Sequence, residues 1–173
     1  MQINGIAVIG FVAPSGTGKT TLIQRLVPLL RQRGRRLGYL KHTHHLIEVD
    51  KPGKDSYQIR EAGASQVLLA SGERWVLQSD TPGQGGDPDL VEMLARFDPK
   101  WVDLILVEGF KSSVYPKLEV HRAALSKPFL YPDDPDIRGL ITDESPPGSG
   151  SPPLLPQDDP VAVADFILSR LVS

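Results

Sequence analysis

The stretch Ala13-Pro-Ser-Gly-Thr-Gly-Lys-Thr20 decides the fold of this 173-residue chain. It follows a short apolar run, Ile6–Val12, and opens a segment, Lys19–Gln32, whose leucines recur at helical spacing. Gly16 and Gly18 let the backbone curl so that successive N–H groups point inward. A buried strand, a glycine-rich loop and a helix in this order predict a site that holds phosphate at the start of the helix.

The residue types in this loop suit a bound triphosphate. Lys19 supplies a cation for the β- and γ-phosphates, and the Thr20 hydroxyl is a ligand for Mg²⁺. The predicted phosphate contacts come from seven consecutive residues: Ser15, Gly16, Thr17, Gly18, Lys19, Thr20 and Thr21. Ala13 occupies the first glycine position of the pattern G-x-x-x-x-G-K-[ST], which requires its φ to be negative. The alternative is a glycine-rich turn that only caps a structural helix.

An acidic residue ends a later apolar run. Residues 102–107 predict a central strand, and Glu108 follows it directly. In a parallel sheet the neighbouring strand delivers such a carboxylate to the Mg²⁺ shell or to the attacking water. Glu108 is therefore predicted as a metal ligand and as a catalytic residue, and Gly109 permits close approach of backbone or ligand. The alternative is a solvated carboxylate at a strand end.

A polar segment follows the predicted strand at residues 36–41. We expect it at the nucleotide side of the sheet, because it leaves a strand that should lie beside the strand that ends at the phosphate loop. Lys41 and His42 are predicted to contact the nucleotide, and Asp50 and Asp55 to bind Mg²⁺ directly or through water. Asp55 is also a predicted catalytic residue, and its alternative role is a helix N-cap.

Three histidines lie in the same segment, at positions 42, 44 and 45. Adjacent histidines suit a loop chelate poorly, and the chain has no cysteine to complete a zinc site. Hydrogen bonding or substrate contact is the favoured role, and a metal-delivery site is the alternative.

The composition excludes several classes of protein. The 19 basic and 21 acidic side chains nearly cancel, so the whole chain lacks the basic footprint of a nucleic-acid-binding protein. The absence of cysteine suits a reducing cytosol, so we expect a cytoplasmic location. Residues 3–12 lack the flanks of a signal peptide, and no apolar run approaches the roughly 18 residues that span a membrane. No nucleic-acid or membrane partner is expected.

Strands alternate with helices along the rest of the chain. Strands are predicted at residues 117–121 and 139–142, helices at 54–62, 88–97 and 161–171, and an irregular surface loop at 146–156. This pattern predicts an α/β fold with a mostly parallel sheet covered by helices, as a single domain over residues 1–173. Gln66–Ala70 and residues 74–78 interrupt the alternation and predict a β-hairpin extension at about 65–86, for an edge or for dimerisation.

Five blocks of sequence together resemble the MobB family of molybdopterin-guanine dinucleotide biosynthesis proteins. They are SGTGKTT at 15–21, KHTHH at 41–45, DKPGKDSY at 50–57, REAGA at 60–64 and VEGFK at 107–111. The resemblance covers about residues 3–120, and 41–64 is its specific part, because the phosphate loop alone occurs in very many proteins. One departure is Leu46, where the family commonly carries an acidic residue after the paired histidines.

The resemblance implies the P-loop NTPase fold and a GTP-binding adapter in molybdenum cofactor biosynthesis. Such a protein binds GTP and Mg²⁺, acts beside the guanylyltransferase MobA, hydrolyses GTP weakly and forms an intertwined homodimer. Molybdopterin is implied as a further bound ligand. By this resemblance residues 16–21 bind phosphate, Asp50 and Asp55 lie near the metal, and Glu108 is the strand-end acid.

The preference for guanine rests on the resemblance alone. The N/T-K-x-D motif of many GTP-binding proteins is missing, since Asn4 is the only asparagine and no Thr-Lys-x-Asp occurs. Asp143, after the predicted strand at 139–142, is the best substitute, because its carboxylate accepts hydrogen bonds from guanine N1 and N2. A simple turn aspartate is the alternative.

Other functions remain open on the same scaffold. A small-molecule kinase or ATP-dependent ligase needs a lid with arginines, but the arginines at positions 31, 33, 35 and 36 belong to the first helix and its exit. A metal-delivery GTPase would use the histidines, and an interaction protein would have lost the nucleotide site. No in-line glutamine or arginine finger is evident, so hydrolysis by the isolated protein is expected to be slow.

Overall fold

The computed structural model describes residues 1–45, 47–80 and 86–172. It divides into two compact units, Met1–His42 with Pro88–Ser173 and Thr43–Asp87. The hairpin predicted at 65–86 falls in the second unit, and its last part, 81–85, lies outside the described residues. Leu46 also lies outside them.

The described parts of the chain contain nine strands and four α-helices. The strands are β1 (Gln2–Ile3), β2 (Ile6–Val12), β3 (Leu37–Lys41), β4 (Gln66–Ala70), β5 (Trp75–Ser79), β6 (Leu104–Glu108), β7 (Lys117–Val120), β8 (Ile137–Thr142) and β9 (Leu154–Pro156). The helices are α1 (Lys19–Gln32), α2 (Asp55–Glu61), α3 (Leu90–Leu94) and α4 (Pro160–Phe166). A 3₁₀ turn, Ala123–Leu125, and a π-helical turn, Ile167–Leu171, complete the set.

The first unit is built on one seven-stranded sheet. Its strand order is β3-β6-β2-β7-β8-β9, all parallel, and β1 adds an antiparallel pair to β2. The predicted parallel sheet is therefore confirmed. This order places β6, which ends in Glu108, directly beside β2, which ends at the phosphate loop. The expected position of β3 beside β2 is wrong, because β3 pairs with β6 instead. The carboxyl ends of the six parallel strands meet at one edge, where ligands bind in open α/β sheets.

Apolar side chains cover both faces of the sheet, as the continuous hydrophobic runs predict. Alternate residues of β2 point to opposite faces, so Ile9 and Phe11 join the cluster under α1 and α4, whereas Ile6 and Val8 join the cluster under α3. From α1 the buried residues are Leu22, Ile23, Leu26 and Leu30. The phosphate loop thus sits on a rigid strand and a helix that is anchored by four buried side chains.

Helix α1 ends at Gln32, and Gly34 terminates it, as predicted. Gly34 has φ 82°, and its N–H donates to Arg31 O at 3.0 Å while Arg35 N donates to Leu30 O at 3.1 Å. These two bonds form a Schellman motif, which favours glycine because of the left-handed backbone.

Two predicted helices are wrong in extent. The helix predicted at 88–97 is only α3, because the Asp89 side chain accepts from Glu92 N at 2.8 Å and fixes the start, and tighter i→i−3 bonds follow Ala95. The helix predicted at 161–171 starts at α4, where Asp159 accepts from Val161 N and Ala162 N at 3.0 Å, and it widens into the π-helical turn at Ile167–Leu171.

The loop predicted at 146–156 is also partly wrong. Its last three residues form β9, which pairs in parallel with β8 at the edge of the sheet. Leu155 is buried there, so a single apolar side chain docks this segment. Prolines argue against a strand in sequence-based prediction, so this short strand was not predicted.

The second unit contains α2 and the hairpin β4–β5. The two strands are antiparallel, with Gln66 opposite Ser79 and Ala70 opposite Trp75, so the predicted hairpin is confirmed. Several of its large apolar residues are exposed: Leu68, Leu69, Trp75 and Leu77. Across the described residues of both units, the helices are too short or too polar to cross a membrane.

Candidate functional site

The phosphate loop has the curled backbone that the sequence predicts. Gly16 has φ 85° and Gly18 has φ 84°, both in the region that favours glycine. Helix α1 begins at Lys19, and Leu22 N donates to Gly18 O at 3.0 Å in its first turn. Ala13 is buried and does not adopt a positive φ, so alanine fits the position that usually holds glycine.

One carbonyl in the loop is held from two sides. Thr17 is buried, and its hydroxyl donates to Pro14 O at 3.2 Å. Its carbonyl oxygen accepts from Arg122 Nε at 2.9 Å and from Gln157 Nε2 at 3.3 Å. These two side chains come from just after β7 and β9, and neither was predicted from the sequence as a site residue. The signal for Arg122 was its position after the predicted strand at 117–121, whereas Gln157 follows a segment that the sequence predicts as a loop.

The loop and Glu108 enclose a cavity of about 230 Å³. Its lining residues are Pro14, Ser15, Gly16, Thr17, Gly18, Lys19, Thr20, Thr21 and Glu108. The structure therefore brings together all seven predicted phosphate contacts and the predicted strand-end acid.

Glu108 is the centre of a polar cluster in this cavity. Its Oε1 lies 3.6 Å from Lys19 Nζ and 3.7 Å from Lys41 Nζ, and Thr20 Oγ1 lies 3.3 Å from the same oxygen. The Tyr39 hydroxyl donates to Oε2 at 2.6 Å. Glu108 is only 8% exposed, so the alternative of a solvated strand-end carboxylate is wrong.

The cluster shifts the ionisation of its members. Burial alone would raise the pKa of Glu108, but the Tyr39 hydrogen bond, the charges of Lys19 and Lys41 and the Thr20 hydrogen bond outweigh it and lower the pKa. Burial lowers the pKa of Lys19, and the Glu108 charge partly offsets this. Burial and the bond to Glu108 raise the pKa of Tyr39, so the phenol stays protonated and donates.

The donor set fits the predicted Mg²⁺. Magnesium prefers oxygen ligands and is usually held by one or two carboxylates together with phosphate oxygens and water. Thr20 Oγ1 and Glu108 Oε1 already lie 3.3 Å apart at the mouth of the phosphate loop. One hydroxyl and one carboxylate are thus in place for a cation that a triphosphate would share.

The end of β3 lies against the end of β6. The His42 main-chain N–H donates to Glu108 O at 2.9 Å, and the His42 ring lies 5.0 Å from the ring of Phe110. A Cβ on Gly109, which has φ 98°, would lie 2.8 Å from His42 Cβ, so the predicted close approach at this glycine is confirmed. A nucleotide contact by the His42 side chain stays a prediction.

Asp50 and Asp55 belong to the second unit. Asp50 Oδ1 accepts from Lys51 N at 2.9 Å, and its Oδ2 accepts from the Ser56 hydroxyl. Asp55 is the first residue of α2, and Lys54 stands at the N-cap, so the N-cap alternative for Asp55 is wrong. Metal binding by these two aspartates stays a prediction.

The histidines divide between the units. His42 belongs to the first, while His44 belongs to the second, where its Nδ1 lies 3.5 Å from Asp87 Oδ1. His45 N donates to Thr43 Oγ1 at 3.2 Å in the same segment. A metal-delivery role for them is not tested by these contacts.

Asp143 follows β8 directly. Its Oδ1 accepts from Ala123 N at 2.8 Å, so the carboxylate caps the start of the 3₁₀ turn. It also lines a second cavity of about 410 Å³. The other lining residues are Arg25, Arg122, Thr142, Pro156, Gln157 and Asp158.

Comparisons with known proteins agree on one family. The model of the family described as "MobB: Molybdopterin guanine dinucleotide synthesis protein B" matches residues 8–143. The chain is 50% identical over 117 residues to an Escherichia coli protein named molybdopterin-guanine dinucleotide biosynthesis adapter protein; the match covers 68% of this chain and 66%, slightly less than two thirds, of that protein.

Two further comparisons extend this match. A Haemophilus influenzae protein of the same name is 46% identical over 126 residues, which cover 72% of this chain and 68% of that protein. The crystal structure of Bacillus subtilis MobB superposes with a TM-score of 0.73 at 27% identity, over 96% of this chain and 98% of that chain.

Proposed function

The chain belongs to the MobB family, and from that premise we propose that it is a GTP-binding adapter protein in molybdopterin-guanine dinucleotide biosynthesis. It binds GTP with Mg²⁺ at the phosphate loop and assists the guanylyltransferase MobA, with weak GTPase activity of its own. Molybdopterin is a second proposed ligand. The names of the E. coli and H. influenzae relatives support the pathway and the adapter role.

One observation carries the nucleotide part of the proposal: Lys19, Thr20 and Glu108 converge within 3.6 Å at a loop that two left-handed glycines curl. The N-terminus of α1 adds its unpaired N–H groups and positive dipole end. Lys19 meets the β- and γ-phosphates, and the Thr20 hydroxyl holds the metal. When bound, Mg²⁺ neutralises charge that develops on the phosphate oxygens.

Glu108 has two proposed tasks. Its lowered pKa keeps the carboxylate ionised at neutral pH, which suits a metal ligand or a group that orients water. Lys41 lies 3.7 Å from the same carboxylate, and its half-exposed side chain supplies a second cation for a phosphate. A supporting catalytic role for Asp55 is part of the proposal.

We also propose that the protein acts as a homodimer in the cytoplasm. The exposed Leu68, Trp75 and Leu77 of the hairpin support this, because large apolar side chains on an unpaired hairpin favour association with another chain.

A kinase or ligase is the weaker candidate. Arg33 pairs with Asp165 at 2.7 Å, and Arg36 pairs with Asp103 at 3.0 Å. Both arginines thus join α1 and its exit to other parts of the scaffold, which makes them poor residues for a lid that closes over phosphates.

The test is a calorimetric titration with Mg-GTP and Mg-ATP. Wild-type protein should bind Mg-GTP, and Lys19→Ala should abolish binding, since it removes the loop cation. Lys100→Ala is the control, because this exposed lysine stacks on Trp101 away from the loop. Unchanged affinity in Lys19→Ala would refute the site assignment.

The adapter role needs a second measurement. Purified MobA, molybdopterin and limiting GTP should form the dinucleotide faster with the wild-type protein than with Lys19→Ala. Equal rates with the two proteins would refute an adapter that works through bound GTP.

A further inference from the structure

The second cavity lies on the opposite side of the phosphate loop from Glu108. Strand β6, which ends in Glu108, neighbours β2 on one side, and β7, β8 and β9 continue the sheet on the other. Asp143 and Gln157 directly follow β8 and β9. Because parallel strands end at one edge, the two cavities open along the same edge with the loop between them.

Two side chains that line the second cavity contact the phosphate loop. Arg122 and Gln157 line the second cavity, and both donate to the carbonyl of Thr17, which lines the first. A Cβ on Gly18 would lie 3.3 Å from Arg122 Nη2. The second cavity therefore adjoins the phosphate loop through direct contacts.

The direction in which a nucleotide would lie follows from the positions of the two cavities. Lys19, Thr20 and Glu108 fix the β- and γ-phosphate end on the side of β6. The base must extend away from that end. At about 410 Å³ the second cavity is large enough for a purine. It lies at the ends of β8 and β9, on the side of β2 opposite β6.

The lining chemistry suits guanine. Asp143 uses one lone pair for Ala123 N, and a carboxylate offers about four acceptor sites, so it can still accept from two adjacent donors. Guanine presents adjacent N1–H and N2–H₂ donors, while adenine presents an acceptor at N1. Arg122 and Gln157 line the same cavity and carry N–H donors, in contrast to the Asp143 acceptor. Such donors suit the O6 and N7 acceptors of guanine.

We propose that this cavity holds the guanine base, that Asp143 selects guanine over adenine, and that Arg122 and Gln157 tie the base site to the phosphate loop through Thr17. The inference rests on the proposed function, because it requires that a nucleoside triphosphate binds at the loop. It names the residues that give that site its base specificity.

Asp143→Asn provides a sharp test. The asparagine retains an oxygen for Ala123 N, so the cap survives, but it replaces the second oxygen with an amide donor. Xanthine carries a carbonyl where guanine carries the N2 amine. The variant should therefore lose about tenfold to hundredfold in Mg-GTP affinity and gain a similar factor for Mg-XTP, the xanthosine triphosphate.

Arg122→Ala tests the link to the loop. It should weaken Mg-GTP and Mg-XTP by the same factor and leave their ratio unchanged, because Arg122 holds Thr17 and because guanine and xanthine share the O6 and N7 acceptors. Arg138→Ala is the matched control, since this arginine lies in β8 with an exposed side chain that pairs with Asp136. A changed ratio in Arg122→Ala would overturn the role of Arg122 as a positioning residue.

Calorimetry with GTP, ATP and XTP on all variants separates the outcomes. Equal wild-type affinities for Mg-GTP and Mg-ATP, or a parallel loss of all three nucleotides in Asp143→Asn, would overturn the base assignment. If the wild-type protein binds these nucleotides and Lys19→Ala does not, the proposed nucleotide site is supported, whatever the outcome for the base assignment. Failure of wild-type protein to bind any of the three would overturn both.

Discussion

The hydroxyl of Tyr39 donates a 2.6 Å hydrogen bond to Oε2 of Glu108 and so joins the ends of the neighbouring strands β3 and β6. Tyr39 and Lys41 are two residues apart on β3, so both side chains lie on the face that meets the Glu108 carboxylate. The carboxylate is thereby held between a phenol on one oxygen and two lysines on the other. Its orientation is set before any ligand arrives, which favours metal binding.

Tyr39→Phe should weaken Mg-GTP binding more strongly at acid pH than at pH 7. The tyrosine bond lowers the pKa of Glu108, so its loss raises that pKa and lets protons compete with Mg²⁺ at a higher pH than in the wild type. Titrations of both proteins from pH 5 to 8 check this. Identical pH profiles would show that the bond does not tune the carboxylate.

Glu108→Gln should lower the free energy of unfolding above pH 5 by about 1–3 kcal/mol, because it removes a charged acceptor from Lys19, Lys41 and Tyr39. The folded-state pKa of Glu108 lies below its unfolded value of about 4.3, so its contribution is present above that pH and is lost as pH falls through the folded pKa. The difference between variant and wild type should therefore shrink on acidification in urea unfolding. A difference that is constant with pH would contradict this assignment.

Gly18→Ala should harm the loop more than Gly16→Ala. Both positions have positive φ, and an alanine there costs about 1–2 kcal/mol. A Cβ at Gly16 meets open space, whereas one at Gly18 presses on Arg122 Nη2 at 3.3 Å and disturbs its bond to Thr17. In an Arg122→Ala background the extra loss of stability at Gly18 should disappear. Equal losses at both glycines, measured by urea unfolding, would argue against this contact.

The sequence predicted the phosphate loop and its acid because their chemistry is local. Seven consecutive residues of the loop and the start of α1 line the phosphate site, and Glu108 ends an apolar run whose place beside β2 follows from the rules of parallel sheets. The extents of α3 and β9 could not be predicted from the sequence. In α3 the local Asp89 cap decides where the helix begins, and in β9 one buried leucine decides the pairing; neither contact leaves a periodic pattern in the sequence.

Residues joined only by the folded sheet were not found from the sequence. Tyr39 lies 69 positions from Glu108, and Arg122 lies 105 positions from Thr17. No short motif encodes such pairs, because strand order decides which side chains share an edge. Asp143 was found because it directly follows a predicted strand. Arg122 lies two residues beyond β7, and Gln157 follows β9, which the sequence predicts as a loop.

A buried ion pair should make Asp134 more sensitive to substitution than Lys117. Lys117 is 2% exposed, and its Nζ donates to Asp134 Oδ2 at 2.7 Å and to Lys111 O at 3.0 Å. Asp134→Ala leaves a buried cation without its partner and should cost about 3–5 kcal/mol. Lys117→Met removes the cation itself and should cost less. Urea unfolding of both variants measures these losses in the free energy of unfolding. A larger loss for Lys117→Met than for Asp134→Ala would contradict the prediction.

Hydrolysis of GTP by the isolated protein should be slow, at about 10⁻⁴ to 10⁻² s⁻¹. Within the described residues, the side chains that contact Lys19, Thr20 and Glu108 are lysines, a threonine and a tyrosine, and the nearby Arg122 is engaged with the Thr17 carbonyl. The γ-phosphate side therefore has cations to bind charge but lacks the arginine or glutamine that accelerates P-loop GTPases. Single-turnover assays with radiolabelled GTP, with Lys19→Ala as the blank, measure the rate. Turnover above 1 s⁻¹ without a partner would mean that the chain works as an enzyme in its own right and that the adapter proposal is wrong.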